Sequence, residues 1–506
     1  MAHAIARATA WRDRKIKAVN FSLLRRTALA ASMSLGLLVG VGVARGQDAV
    51  EANREDTARA YLLYEQTLKD HPPRGDERIR HGQQIDWVGS LVWRQRWQEA
   101  TARLDDLTTR LLPDKFDTAA HRAARATDVQ FDPPIAIAGQ NTPVRLTMSP
   151  LYPSPWARLD VRVGPVGGKM QSIGQIDSSG GELTWTPPRE AGRFAVEIAP
   201  ADENQGWLRE SICVVEEPPS KLRDALLDRL NTIEPGDDAA LAADVASTRA
   251  RLQKLLVDDP GGDDSAVFLA DLPALMKSLP ADVAALKRGE NPYLDRPGDY
   301  WRTFDLTSPP MSMPGRVYVS PKALDRLNDG QRVPLIIALH GLGGDENMFM
   351  DGYGGGLLKE LADRQGFLLV SPLTYTALGD TRSFSAIVDA MNRSYDVDLD
   401  RVYAMGHSLG AITASGWAQQ HSQSIAGIAL LAGGNADLPV PTYVAAARFD
   451  RIFSASNLLA GLGRTRDRGL ATQYELFPES AHVSVVADAL PEAVGFLLKQ
   501  RREPAD

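Results

Sequence analysis

From residue 291 to the C-terminus, short apolar runs alternate with stretches whose apolar positions recur at helical spacing. The runs are Arg316–Val319, Val333–Leu339, Phe367–Val370, Arg401–Met405, Ile425–Leu431, Pro441–Ala447 and Gln473–Phe477. A strand that is apolar along its whole length has no side to offer water, so both of its faces must be covered. Strands of that kind joined through helices require a mostly parallel sheet with helices on both faces. Residues 291–506 are therefore expected to form an α/β domain, the last part of a multidomain chain of 506 residues.

The residues before it follow other periods. In 47–127 the apolar positions Tyr61, Leu62, Tyr64 and Leu68, then Val88, Leu91, Val92, Trp97, Leu104 and Leu107, fit helices broken at His71–Gly75. Between 128 and 217 the pattern changes to short alternating strands separated by Gly, Pro and Ser turns, which predicts a small β-sandwich. The run Trp185–Ile198 resembles the late hairpin of bacterial Ig-like domains. Residues 218–290 are again expected to be helical, with breaks at Glu234–Gly236 and Pro260–Gly262, and Tyr293–Tyr300 reads as a linker. Trp156, Trp185 and Trp207 are candidates for stacking on a polysaccharide or cell-surface partner through 128–217, against core or edge packing as the alternative.

Residues 1–46 read as an export signal for a periplasmic or extracellular destination in a bacterium. Seven Arg and Lys precede an uncharged run, Thr27–Ala44, and small residues place the cleavage before Gln47; an uncleaved anchor is the alternative. Removing them leaves 48 basic against 63 acidic residues, a formal charge of −15 in place of −8. An acidic chain has no excess of cations to neutralise phosphates, which excludes nucleic acid as the main partner. Cys213 is the single cysteine, so neither an intramolecular disulfide nor a CxxC metal or redox site can form.

Within the α/β domain, Gly406-His407-Ser408-Leu409-Gly410 directly follows the strand Arg401–Met405 and directly precedes a helical pattern. A serine on such a strand-to-helix turn sits at positive φ with its hydroxyl raised above the sheet, and flanking glycines leave room for strand and helix to approach. A hydroxyl is a poor nucleophile until a base takes its proton. His482, in the loop after the last predicted strand, is the candidate base; His407 and His421 are expected to project elsewhere. Asp450, at the end of Pro441–Ala447, is the candidate orienting carboxylate, with Asp437 as runner-up, because the chain order in this architecture is Ser, then Asp or Glu, then His. Two backbone amides should face a developing oxyanion: Leu409, at the start of the elbow helix, and Leu342, in His340-Gly341-Leu342-Gly343-Gly344 after the strand Val333–Leu339, with Gly341 as the neighbouring alternative. His340 is expected to brace that loop, and Met348–Gly356 and Thr374–Phe384 to wall a pocket. Arg382 could meet a substrate carboxylate or be solvated. No cofactor or metal is required by this set.

Leu339–Glu346 with Tyr395–Ala411 and the late Asp and His resembles the α/β-hydrolase superfamily, and the run before the elbow is similar to secreted esterases of the polyhydroxyalkanoate depolymerase and feruloyl esterase type. The resemblance covers roughly residues 300 to 500. It implies an acyl-transfer enzyme with Ser408 as nucleophile, His482 as base, Asp450 as orienter, the Leu342 and Leu409 amides as oxyanion donors, and a small-molecule or polymer-derived ester as substrate. A serine peptidase similar to the prolyl oligopeptidase group would share the same catalytic domain. A surface- or polysaccharide-binding protein with a secondary hydrolase unit is the reading from a different class.

Overall fold

The computed structural model describes residues 52–140, 142–204, 206–306, 311–380 and 382–502, and the export segment read in 1–46 lies outside them. Three helices begin the described chain: α1 (Arg54–Asp70), α2 (Asp76–Trp93) and α3 (Trp97–Leu111). Asn53 caps α1, its Oδ1 accepting from the Glu55 and Asp56 amides while Asp56 Oδ2 accepts from the Asn53 amide. The helices share a core of Ala60, Tyr64, Ile85, Val88, Leu91, Leu104 and Leu107. The break between α2 and α3 has no proline or glycine to announce it; Gln95 makes it by taking φ 57°.

Eight strands follow: β1 (Thr127–Asp132), β2 (Ile135–Ile137), β3 (Val144–Pro150), β4 (Arg158–Pro165), β5 (Gln171–Asp177), β6 (Gly181–Trp185), β7 (Gly192–Pro200) and β8 (Trp207–Val215). They form a three-stranded sheet, order β1-β3-β6, and a five-stranded sheet, order β2-β8-β7-β4-β5. Val144, Leu146 and Met148 of the first sheet share one core with Val161, Val196, Ile198 and Ile212 of the second. Trp207 is buried in it and donates from Nε1 to His121 Nδ1, and Trp185 packs on Phe194. Of the three tryptophans that could stack on a sugar or pack in the core, only Trp156 is largely exposed, at 74%.

Three further helices, α4 (Pro219–Leu230), α5 (Ala239–Leu255) and α6 (Leu272–Lys287), enclose a second core with Ile135 and Val215. The segment Tyr293–Tyr300 is not a free linker. Tyr293 is fully buried, its hydroxyl 3.1 Å from Ser247 Oγ and 3.2 Å from Arg251 Nη1, with the Arg302 guanidinium stacked 4.1 Å from its ring centroid. A tyrosine can occupy such a position because its ring fills the core while its hydroxyl meets buried polar partners.

The C-terminal sheet has eight strands: β9 (Gly298–Leu306), β10 (Met311–Val319), β11 (Val333–Leu339), β12 (Leu368–Pro372), β13 (Val397–His407), β14 (Gly427–Leu431), β15 (Thr442–Ala447) and β16 (Thr472–Phe477). Their order is β9-β10-β12-β11-β13-β14-β15-β16, parallel from β12 to β16, with β10 antiparallel to both neighbours. Every residue of β11, β14 and β15 is buried. Along β11, Leu335, Ile337 and Leu339 join the core on one face, and Ile336 and Ala338 join that on the other. The helix after β13, α7 (Leu409–Gln420), lies on the first face through Ala411, Ala414 and Trp417, and the terminal helix α8 (Val485–Lys499) on the second through Val485, Leu490 and Phe496.

Candidate functional site

The chain passes from β13 into α7 through Ser408, which has φ 51° and ψ −111°. A side chain at Gly410 would collide with the Leu339 carbonyl of β11, and one at Gly406 would collide with the Gly410 backbone. The two glycines therefore let strand, turn and helix close on one another, and the strained serine is held by that packing. The Ser408 amide donates to the Leu431 carbonyl at 3.1 Å, tying the turn to β14.

His482 and Asp450 come to the same edge of the sheet from the loops after β16 and β15. His482 Nδ1 lies 2.9 Å from Asp450 Oδ2. Asp450 Oδ1 accepts from the Ile452 and Phe453 amides at 2.7 and 3.0 Å, and the Phe453 ring stacks on the imidazole. Burial acts to raise the Asp450 pKa, but its bond to His482, the imidazole's charge and the two amides outweigh it and hold the carboxyl below its ordinary value. With Nδ1–H donated to a carboxylate, His482 Nε2 is left as the acceptor. Among the described residues Ser408 Oγ makes no hydrogen bond; the bond from such a serine to its base commonly tightens only when substrate binds. Asp437 is engaged elsewhere, by Arg464 at 2.7 Å and Arg468 at 2.5 Å.

The loop after β11 is held from several sides. His340 Nδ1 donates to the Gly341 carbonyl at 2.8 Å, and its Nε2 accepts from the Thr374 amide at 2.9 Å. Burial lowers this imidazole to about 4, so it stays neutral in that tautomer. The Gly343 amide donates to Tyr375 Oη at 2.6 Å. The Leu342 amide donates to no protein atom among the described residues, nor does that of Leu409, the first of its helix. Asp345 closes the loop's far side, accepting from Arg54 Nη2 of α1 at 2.9 Å and from Ser265 Oγ.

His407 was expected to project away from Ser408. Its ring is 4.8 Å from that of His482, centroid to centroid, and both nitrogens are occupied. Nε2 donates to the His482 carbonyl at 3.0 Å, so Nδ1 accepts from Tyr353 Oη at 2.8 Å. Burial first, and then the neighbouring His482, drive its pKa well below the ordinary histidine value. A second imidazole thus stands beside the first with no lone pair to offer Ser408.

The expected pocket walls fall as follows. Met348, Gly352 and Tyr353, with Tyr61, Val88, Val92 and Leu342, line a mostly apolar cavity of ≈140 Å³ between α1, α2 and the loop after β11. Arg382 is paired with Asp380 at 2.7 Å. The sequence places Tyr353 and Tyr375 in the two expected wall segments without singling them out, and gives no sign of Asp86. Only the glycine run around Tyr353 hinted at a close approach. Among the described residues no group of His, Cys, Asp and Glu is arranged to hold a metal ion, and no helix is long and apolar enough to cross a membrane.

No family model matches the chain. Among curated proteins, it is 29% identical over 149 residues to a bifunctional acetylxylan esterase/xylanase of Neocallimastix patriciarum, covering 27% of this chain and 22% of that protein. It is 34% identical over 94 residues to feruloyl esterase B of Neurospora crassa, covering 15% of this chain and 31% of that one. The chain thus spans less than a third of the length of these curated relatives. Among solved structures, S-formylglutathione hydrolase of Staphylococcus aureus aligns with 41% of this chain and 99% of its own at 14% identity and a TM-score of 0.33. The acylaminoacyl peptidase of Pyrococcus horikoshii aligns with 41% and 43% at 14% identity and the same TM-score. With its one reversed strand, its elbow at Ser408 and its sequence likeness to esterases, the C-terminal domain has the α/β-hydrolase fold.

Proposed function

We propose that the protein is a serine hydrolase that cleaves carboxylic esters through an acyl-enzyme. The observation that carries the reading is the 2.9 Å contact between His482 Nδ1 and Asp450 Oδ2 beside a serine held at positive φ on a strand-to-helix turn. In the first half-reaction His482 Nε2 takes the Ser408 proton as Oγ attacks the ester carbonyl. Asp450 stabilises the resulting imidazolium, and the Leu342 and Leu409 amides receive the oxyanion. His482 then gives its proton to the departing alcohol. In the second half-reaction it takes a proton from water as the water oxygen attacks the acyl carbonyl, then gives that proton to Ser408 Oγ as the acyl–Oγ bond breaks, which releases the acid and restores Ser408. With its one acceptor nitrogen held by Tyr353 and its N–H spent on the His482 carbonyl, His407 leaves a single base for the serine.

The curated likeness to acetylxylan and feruloyl esterases favours an ester of polymer origin as substrate. Division into a signal 1–46, helical 47–127, an Ig-like sandwich 128–217, helical 218–290 and the hydrolase 291–506 completes the proposal, with export implied by the first segment. The test is a fluorophosphonate probe followed by assays on p-nitrophenyl acetate and on aminoacyl p-nitroanilides. Ser408→Ala should neither label nor turn over ester; residual turnover at the wild-type rate would refute the nucleophile, and anilide cleavage exceeding ester cleavage would transfer the protein to the peptidases.

A further inference from the structure

His482 is held by its backbone as well as by its ring, and one of the backbone partners comes from outside the hydrolase sheet. Asp86 lies on α2, half-buried beside Ile85 and one turn after the buried Gly82. Its Oδ2 accepts from the His482 amide at 3.0 Å and its Oδ1 from the Val483 amide at 2.9 Å. Both oxygens of one carboxylate are thus spent on two successive amides of the histidine loop. One turn earlier on the same helix, a Cβ on Gly82 would stand 2.8 Å from Ser484 Oγ and 3.3 Å from Ala481 Cβ, so α2 packs closely against the loop there. Val483 itself packs into the core of α1 to α3. On the opposite side His407 Nε2 donates to the His482 carbonyl.

The amides of His482 and Val483 lie just before the N-terminus of α8, where the helix leaves backbone donors unsatisfied and favours negative charge. Nothing in the hydrolase sheet accepts from them; Asp86 does. With its N–H, its C=O and its Nδ1 all fixed, His482 can vary only in side-chain torsions already limited by Asp450 and by the Phe453 ring.

We propose that Asp86 is a positioning residue for His482: by clamping the histidine loop from the front helices it sets the place of Nε2 above Ser408, so the helical front region is part of the catalytic unit and not a detachable module. The inference rests on the assignment of Ser408 and His482 given above.

The experiment uses full-length Asp86→Ala and Asp86→Asn beside wild type and Ser408→Ala, with p-nitrophenyl acetate kinetics and thermal melts on each. Asp86→Ala should lower kcat about 10- to 100-fold, the usual consequence of a catalytic group displaced by an ångström or less, and leave KM within about threefold. Asp86→Asn keeps the shape but has one acceptor oxygen for two amides, so its kcat should fall between the two. Because it is isosteric it also carries the test if Asp86→Ala fails to fold. The inference is overturned if kcat in the folded Asn variant, or in both, stays within twofold of wild type, if KM rises while kcat holds, or if the loss of kcat only follows the loss of folded protein. Failure of the underlying assignment is read separately, from Ser408→Ala retaining turnover.

Discussion

Glu65 on α1 is a carboxylate that forms no ion pair among the described residues. It is buried where α1 meets the glycine run after Tyr353, and its Oε2 accepts from the Gly354 amide at 2.9 Å. Lys69 and Arg78, which line the same cavity, are spent on others, Lys69 on Glu360 and Arg78 on Asp488. Burial therefore raises its pKa from 4.5 to about 7, against the opposing pull of the Tyr61 hydroxyl and the Gly354 amide. An acid whose pKa is raised by folding binds its proton more tightly in the native state, so its contribution to stability is complete below the unfolded value and is lost as pH rises through the folded one. The window is thus about 4.5 to 7. A shift of that size corresponds to about 3 kcal/mol of destabilisation once the group is fully ionised. Glu65→Gln keeps an acceptor for Gly354 and removes the charge. At pH 8 the variant should be more stable than wild type by up to about 3 kcal/mol, near 3 °C in Tm for a cooperative unit of this length; at pH 4 the two should melt together. Thermal melts of both proteins at pH 4, 6 and 8 measure the difference. A variant less stable than wild type at pH 8, or a difference that does not change with pH, would refute the account.

Three further outcomes follow from the site. Asp450→Asn preserves the shape but offers the wrong hydrogen-bond partner to His482 Nδ1; kcat on p-nitrophenyl acetate should fall by roughly 10⁴ with KM little changed. Gly410→Ala drives a methyl group into the Leu339 carbonyl and should cost more than about 3 kcal/mol, read as loss of soluble folded protein and not as an altered kcat in a stable one. Tyr353→Phe removes the donor to His407 Nδ1 and leaves a buried ring nitrogen unpaired; a loss of about 1 to 3 kcal/mol in denaturant melts is expected.

What could be read in the sequence was local. The elbow is compressed into five consecutive residues, and its function depends on a turn that those residues build themselves. The strands β11, β14 and β15 were legible because burial on both faces leaves an uninterrupted apolar run. By contrast β1, β2 and β5 are short or half exposed, and their alternation is too brief to stand out. The end of α2 was hidden because its break rests on one non-glycine residue at positive φ, Gln95. Asp86 could not be found at all. It reads as an ordinary polar residue on a helix, and its partners lie almost 400 positions further along the chain. The same holds for Tyr293, whose setting of prolines and a glycine reads as a connector and whose burial depends on Ser247 and Arg251 from a helix earlier in the chain. His407, expected to project elsewhere than toward Ser408, is indeed held by other partners, but which ones the sequence does not show: Tyr353 and the backbone of His482 set its orientation.

The close packing of the elbow divides the domain's freedom to change. Gly406 and Gly410 admit no side chain, and Gly433 presses on the Ser408 backbone in the same way. These positions are closed to substitution whatever the substrate. Leu342, half exposed beside the candidate oxyanion amide, and Ile452, exposed next to Asp450, hold up none of that packing. Side chains such as Leu342 and Ile452 can therefore change in descendants of this protein without disturbing the backbone of the elbow.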